Sequence, residues 1–419
     1  LTVFYGTLYE AVMTYYPTLS LPRRRLLQTS AAFGGAGLLG LGGCATAGGA
    51  GSMASRFDGG PVIAPVRATP DRLFDITVCL RPFRAAGPRL DTETIGDALI
   101  VHNYGHGGSG WSLSWGSGTV AVKKAMASSP REIAVVGCGA LGLTAAILAQ
   151  RAGAQVTIYA MEQTPQTRSA RATGSWTPDS RIALTDAAGP KFGDLWEAMA
   201  RTSFKAFRSY LGLPGDPVEW RDRYNLSDLS PAERHAHQPA DPLGFAHYED
   251  RIRDLEPDFE TMPPGSTPFP TPYVRRASQL QFNVADYAHT LMSDFFAAGG
   301  KFERREFHSP SELATLKEKV VINCPGYAAR ALWKDESIVP VRGQIGWLIP
   351  QPEVNYGFFY NGVSVLSRRD GIVVQMIDGG DMKGYKDENE TPIRAESEAG
   401  VALIAELFER SRVKAPRQA

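Results

Sequence analysis

Hydrophobic and polar positions first alternate at Phe74 to Leu80 (FDITVCL), a strand rhythm leading into Arg81-Pro82-Phe83-Arg84. Ala98 to His102 (ALIVH) predicts a second strand, and Gly118 to Met126 takes helical spacing. Ile133 to Val136 predicts a third strand, followed by a helical run of Leu, Ala and Ile that stops at Gly153, and then a strand from Val156 to Tyr159. Between Lys191 and Leu211, Leu195, Met199, Phe204, Phe207 and Leu211 recur at near-helical spacing and predict a packing helix. Pro214 to Pro272 has no clean period and reads as irregular, with a short helix near Ala246 to Leu255. Leu280 to Phe282 predicts a short strand, and Asn283 is placed to cap a helix through Tyr287, Leu291 and Phe295 that ends at Gly299-Gly300. Strands are predicted at Lys319 to Cys324, Gln344 to Leu348, Gly362 to Leu366 and Gly371 to Ile377. An amphipathic helix over Glu396 to Phe408, carrying Val401, Ile404 and Phe408, precedes a tail expected to fray.

One stretch of this pattern carries chemistry. Ile133 to Glu162 reads strand, Gly137-x-Gly139-x-x-Gly142, helix, strand and acid, with Glu162 20 residues past the third glycine (162 − 142). Gly137 allows a tight turn, Gly139 lets backbone approach a pyrophosphate, and Gly142 lets helix and strand pack closely. The helix opening at Ala140 and Leu141 offers free N–H groups and positive potential to phosphate, and Glu162 is placed to accept from ribose hydroxyls. Glycine is 43 of 419 residues, so the spacing alone is weak; the whole strand–glycine–helix–strand–acid unit is what predicts an α/β dinucleotide fold. The motif leaves open whether the dinucleotide is FAD or NAD.

Composition narrows the classes. Lys+Arg and Asp+Glu are both 44, so no basic field invites nucleic acid. Cys44, Cys79, Cys138 and Cys324 lack CxxC spacing, and the scattered histidines suggest no metal cluster. Arg23, Arg24 and Arg25 before a Gly/Ala/Leu run read as a twin-arginine export signal, too short and glycine-rich for a membrane span. Leu41-Gly42-Gly43-Cys44 resembles a bacterial lipobox, which implies a lipid anchor at Cys44 and a periplasmic location. Residues 46 to 60 have linker composition.

The glycine-dense stretch His102 to Gly116 (HNYGHGGSGWSLSWG) resembles the signature of the D-amino-acid oxidase family of flavoproteins, and RPFR at Arg81 resembles that family's substrate-arginine segment. In that family both follow the nucleotide unit; here both precede it, so the chain resembles a circular permutation of the fold, a rearrangement compact domains tolerate. Thr164 to Pro178 (TPQTRSARATGSWTP) is similar to the family's flavin-wrapping segment, with Thr167, Ser169, Ala172 and Gly174 at its polar and small positions. Met161 stands where relatives often carry an acid.

The resemblance implies an α/β protein in which a Rossmann-like FAD-binding domain is joined to a second, mainly antiparallel β substrate domain. The expected division is a leader at 1–60, substrate-domain strands at 61–97, and FAD-binding segments at 98–185 and 276–338. Segments 186–275 and 339–419 are assigned to the substrate domain. Arg81 is the expected clamp on the substrate carboxylate and Gly108 the carbonyl that receives the substrate amine. Tyr360, from FYNG, is expected beside the substrate, while a second lid tyrosine of the family is replaced near Ser364. Gly107, Gly108, Gly110, Trp111 and Ser112 are expected to cradle the flavin ring, and His102 and His106 to be structural. The implied reaction is oxidative deamination of a D-amino acid, with oxygen or another electron acceptor as partner. The alternatives are a flavin dehydrogenase feeding a membrane carrier, a flavin-binding lipoprotein without turnover, and an NAD-dependent dehydrogenase.

Overall fold

The computed structural model describes residues 63–414, with side chains through residue 411. The arginine cluster, Cys44 and the linker to residue 60 lie outside the described residues. Two sheets organise the chain. The first contains β2 (Thr92–Ile95), β3 (Ala98–His102), β4 (Glu132–Val136), β5 (Gln155–Ala160), β9 (Lys301–Arg304) and β10 (Val320–Asn323), in the order β2-β3-β10-β4-β5-β9. All neighbours are parallel except β2, which pairs antiparallel with β3. Parallel strands are covered on both faces, which is why β4 is apolar at every position after Glu132. Ile133 and Val135 join one core with the helices, while Ala134 and Val136 join another with Leu313 and Leu316.

Numbering only helices of 12 residues or more, α1 (Gly110–Ala125), α2 (Ala140–Arg151) and α4 (Val284–Ala297) belong to this half, together with α3 (Phe192–Phe207). α1 begins eight residues before the predicted start at Gly118. It is buried on almost every side, from Trp111 through Ala125, so its sequence shows no amphipathic period to mark its beginning. Small residues let its neighbours close in. A Cβ on Gly116 would strike the Met199 backbone of α3, and one on Gly118 would stand 3.0 Å from Leu148 of α2. Asn283 stands at the N-terminus of α4 as predicted, but its amide reaches the Asp216 carbonyl and Glu219 instead of capping the helix.

The second sheet has eight strands, in the order β1-β11-β14-β13-β12-β6-β8-β7. They are β1 (Leu73–Arg84), β6 (Val218–Ser227), β7 (Glu260–Thr261), β8 (Tyr273–Phe282), β11 (Ile338–Leu348), β12 (Tyr356–Tyr360), β13 (Val363–Arg368) and β14 (Gly371–Met376). Only the β12–β6 pair is parallel. One face packs under α5 (Arg394–Lys414) through Tyr356, Phe358, Tyr360, Val363, Val365, Val401, Ile404 and Phe408. On the other face, Ile345, Trp347, Leu366 and Val373 form a small separate cluster.

The chain crosses between the sheets at other points than the pattern predicts. β2 lies in the nucleotide sheet, inside the segment assigned to the substrate domain. α3 packs in the nucleotide-side core. β8 extends the substrate sheet to Phe282, past the expected boundary at residue 276. β6, in a region that reads as irregular, is a ten-residue interior strand. Among the described residues no helix is long and apolar enough to cross a membrane.

Candidate active site

The parallel strands β3, β10, β4 and β5 end together. His102 stands beside Asn323, Asn323 beside Val136, and Val136 beside Tyr159. Ligands of open parallel sheets bind outside these carboxyl ends, where helix N-termini also face. Three turns leave this edge. Gly137 adopts φ +98°, which only glycine takes readily, and its N–H donates to the Tyr159 carbonyl at 2.9 Å. Cys324 N–H donates to the Val136 carbonyl at 2.8 Å, and Asn103 N–H to the Asn323 carbonyl at 2.9 Å. α2 therefore opens at Gly139-Ala140 and α1 at Ser109-Gly110 along one edge.

The residues of the glycine unit lie together at the turn between β4 and α2. A Cβ on Gly142 would fall on the Gly137 carbonyl, 2.8 Å from its carbon, so helix and turn touch there. One on Gly139 would come 2.7 Å from Ser169 Oγ, which itself accepts the Ala140 N–H at 3.0 Å. Leu141 is buried beneath the turn. Glu162 is exposed just beyond β5.

Residues 167–175 run from this edge across the face of the second sheet that α5 leaves free. Thr167 precedes a short helical turn whose Ser169 carbonyl accepts the Trp111 indole N–H at 2.8 Å. Arg171 donates to the Val78 carbonyl of β1, and Arg368 of β13 donates to the carbonyl of Ala172. Gly174 takes φ +99° with its carbonyl on the Phe282 N–H. Ser112 Oγ accepts the Thr177 N–H at 2.8 Å. This segment is thus held between the two sheets by α1, β1 and β13.

The loop between β3 and α1 reaches the second sheet directly. Gly107 N–H donates to the Pro82 carbonyl at 2.9 Å, and His106 bridges Phe83, so the loop is joined to the strand that carries Arg81. Gly108 N–H donates to the Ser180 carbonyl at 2.9 Å. Gly110 has open space where a Cβ would stand and no left-handed φ, so nothing in the protein itself requires glycine there. His102 is structural: Nε2 meets Glu93 at 2.6 Å, Nδ1 meets Asn323 at 3.0 Å, and burial holds its pKa below the usual range. His106 is fully enclosed with both ring nitrogens unpartnered, and burial pushes its pKa down to about 3.

Arg81 lies flat across Gly343 of β11, where a Cβ would stand 2.5 Å from its Cζ. Nη1 donates to the Arg342 carbonyl at 3.2 Å, and burial draws the guanidinium pKa below its ordinary value. It borders a cleft of about 220 Å³ where β11 and β14 splay apart. The structure does not bring Tyr360 there. Tyr360 lies on the face under α5, where its hydroxyl donates to Asp228 at 2.7 Å and accepts from Arg410 at 2.6 Å. Both parities of the run YGFFY read as buried, so the pattern gave no way to choose its face. Ser364, one position over on β13, takes the opposite face and meets Arg223 at 3.4 Å.

Two features had no sequence signal. Arg181 reaches the same cleft from a left-handed backbone position, φ +50°, that an arginine does not announce. Asp179, His247 and Glu249 bring ligand-type atoms within 4.8 Å of one another, and burial lifts the Asp179 carboxyl to about 6.

A parallel sheet with a glycine turn under a helix N-terminus, and a segment laid across its edge, defines a dinucleotide-binding α/β protein. A model of the FAD dependent oxidoreductase family matches residues 132–416, and the chain belongs to that family. FAD is its cofactor, and the residues present fit that group. Gly139 leaves the helix opening bare of any side chain of its own, Gly110 faces open space, and two helix N-termini face one edge. The chain is 31% identical over 214 residues to a D-amino-acid oxidase of Rubrobacter xylanophilus, covering 50% of this chain and 57% of that protein. To a D-amino-acid oxidase of Streptomyces coelicolor it is 28% identical over 221 residues, 51% of this chain and 58% of that protein. A D-aspartate oxidase of Talaromyces thermophilus is 48% identical over 60 residues, 12% of this chain and 16% of that protein. The chain spans a little over half the length of the D-amino-acid oxidases it matches. A glycine oxidase from Geobacillus kaustophilus superposes with a TM-score of 0.41 at 12% identity, over 58% of this chain and 70% of that chain.

Proposed function

We propose that the protein oxidises a D-amino acid to the imino acid, which water hydrolyses, with reducing equivalents passing to oxygen. The observation that carries this reading is Arg81. It is a half-buried guanidinium with no carboxylate within ion-pairing distance among the described residues, Asp381 acting on it only from farther off, and it stands on a strand bonded directly to the glycine loop at Gly107. Its planar fork suits paired hydrogen bonds to a substrate carboxylate, and the Pro82–Gly107 bond, which ties the Gly108 loop to the strand of Arg81, supports the reading in which the Gly108 carbonyl receives the amine. Bound FAD supplies the two-electron acceptor. The chain supplies orientation: Arg81 holds one end of the substrate. Neither buried histidine suits the role of a base, because His102 has both nitrogens engaged and His106 is enclosed where burial opposes the charge that accepting a proton would create.

We also read the order of elements as a circular permutation, since residues 98–110 precede the matched span yet supply strand β3 beside β10. Export through the Arg23–Arg25 signal and lipidation at Cys44 complete the proposal, which labelled-palmitate incorporation in wild type and Cys44→Ala tests. The reaction is tested by the visible spectrum of the purified protein before and after anaerobic addition of mixed D-amino acids. Flavin bands that bleach support it, and bands that persist overturn it. Peroxide release on readmitting air identifies oxygen as the acceptor; its absence with retained bleaching points to another carrier.

A further inference from the structure

Asp179, His247 and Glu249 play no part in the reaction above, yet each brings a ligand-type atom within 4.8 Å of the other two. Backbone bonds between distant segments fix this meeting. Ala246 N–H donates to the Ala183 carbonyl at 3.0 Å, Thr185 N–H donates to the Gly244 carbonyl at 2.9 Å, and Leu184 bridges Phe245. The Asp241 carboxylate accepts from the N–H groups of Leu243, Gly244 and Phe245, so the second segment is held at its start as well. Asp179 is buried, only 8% exposed, and its Oδ2 accepts the Tyr248 N–H at 3.2 Å, which turns the carboxylate toward the neighbours of Tyr248 on either side. Among the described residues no lysine or arginine lies within ion-pairing distance of Asp179 or Glu249. Two carboxylates therefore meet with one imidazole as the third member, and Asp381 brings a further carboxylate to 3.8 Å from His247 Nε2. A buried carboxylate beside a second one is costly unless the two share a cation.

We propose that Asp179, His247 and Glu249 bind a divalent cation of the Zn2+ class, with water in the fourth position, and that this cation braces the turn from Asp179 to Ile182. One imidazole nitrogen with two carboxylate oxygens suits Zn2+, whereas Ca2+ and Mg2+ favour oxygen alone. Bonds of about 2.0–2.2 Å set tetrahedral ligand atoms about 3.3 Å apart, so the three groups must close by roughly 1.5 Å. His247, with its side chain 56% exposed, and the exposed Glu249 can swing inward onto Asp179, which its own bond holds still. The turn matters because its Ser180 carbonyl accepts the Gly108 N–H at 2.9 Å, while Ile182 N–H donates to the Asp179 carbonyl at 3.2 Å. A cation on Asp179 would thus stiffen the support of the Gly108 loop without touching substrate.

The probe is Zn2+ alone, titrated calorimetrically into the untagged, FAD-loaded full chain after chelator treatment and dialysis. One Zn2+ per chain is expected, with a Kd of about 10 μM or tighter, and with Ca2+ and Mg2+ at least about tenfold weaker. His247→Ala and Glu249→Gln, both at exposed side chains that the fold does not need, should each weaken Zn2+ at least about tenfold. The exposed pair His235 and His237 is the control, and replacing both by Ala should leave the affinity within about twofold. Weaker binding in wild type, Ca2+ or Mg2+ binding as tightly as Zn2+, or a loss that follows His235 and His237 instead of His247 overturns the site. Hydrogen exchange tests the brace: peptides covering residues 177–185 should exchange severalfold more slowly with Zn2+ in wild type and not in His247→Ala. Exchange there that Zn2+ leaves unchanged overturns the bracing role.

Discussion

Adding one methyl group at Gly142 and one at Gly139 should have opposite consequences. At Gly142 the new Cβ would fall on the Gly137 carbonyl, 2.8 Å from its carbon, with Val135 Cγ1 at 3.7 Å behind it. Neither neighbour yields cheaply: Gly137 is pinned by its N–H bond to Tyr159 and its φ of +98°. Helix α2 must back away from β4, and overpacking of this kind costs about 1–3 kcal/mol, occasionally more. Taking ~3 kcal/mol, and an unfolding entropy of ~2.1 cal/mol/K per residue over about 350 folded residues, the melting temperature of the apoprotein should fall by roughly 4 °C. At Gly139 the backbone φ is −82°, and the new Cβ meets only Ser169 Oγ at 2.7 Å, the end of a side chain that can turn away at the loss of its bond from the Ala140 N–H. Gly139→Ala should therefore leave the apoprotein melting temperature within about 1 °C while FAD retention drops, because the methyl stands where the pyrophosphate must approach. The assays are intrinsic-fluorescence melting of the apoprotein and flavin absorbance relative to the protein band after reconstitution. Adding Ser169→Gly removes the clash within the protein but not the one with the cofactor. Full FAD loading in either the single or the double variant would refute the cofactor argument, and an unshifted melt in Gly142→Ala would refute the packing argument.

Other expectations follow from single contacts. Tyr360→Phe loses the hydroxyl shared by Asp228 and Arg410, so urea unfolding should show about 1 kcal/mol less stability, while the rate of flavin reduction by substrate stays unchanged; a tenfold slower reduction contradicts its placement under α5. His106 titrates near 3 in the folded protein against 6.5 unfolded, so the native state binds fewer protons between those values and stability falls as pH drops through that window. His106→Leu should remove about 2 kcal/mol of the stability lost between pH 7 and pH 5, and identical losses in both proteins would refute this. Tyr287→Phe strands the buried Trp115 indole N–H that now donates to the tyrosine hydroxyl at 2.7 Å, at a cost of about 1–3 kcal/mol in denaturant unfolding; an unchanged midpoint would show that the indole finds another acceptor.

Sequence alone determined the elements whose causes are local. The strand–glycine–helix unit from Glu132 to Arg151 was legible because turn chemistry, apolar run and helix stop all lie within a few residues of one another. The same holds for β3, β10 and the core of α5; the glycine unit predicted a dinucleotide, and FAD came from the resemblance carried by the stretch from His102 to Gly116. Only the tertiary structure decided what depends on register and on which face a strand turns inward. Tyr360 and Ser364 sit on neighbouring strands of similar apolar character, yet pairing of β12 with β6 and β13 sends one under α5 and the other toward Arg223. β6 escaped detection because Arg221, Asp222 and Arg223 interrupt its alternation, while the apolar Tyr224 and Leu226 reveal their common face only once α5 is packed beneath them. Arg181 meets Arg81 across a cleft through a bend 100 residues along the chain, and no local pattern records that approach. Propensity and periodicity act over a few residues, whereas a site that needs charges from two sheets is settled by long-range packing.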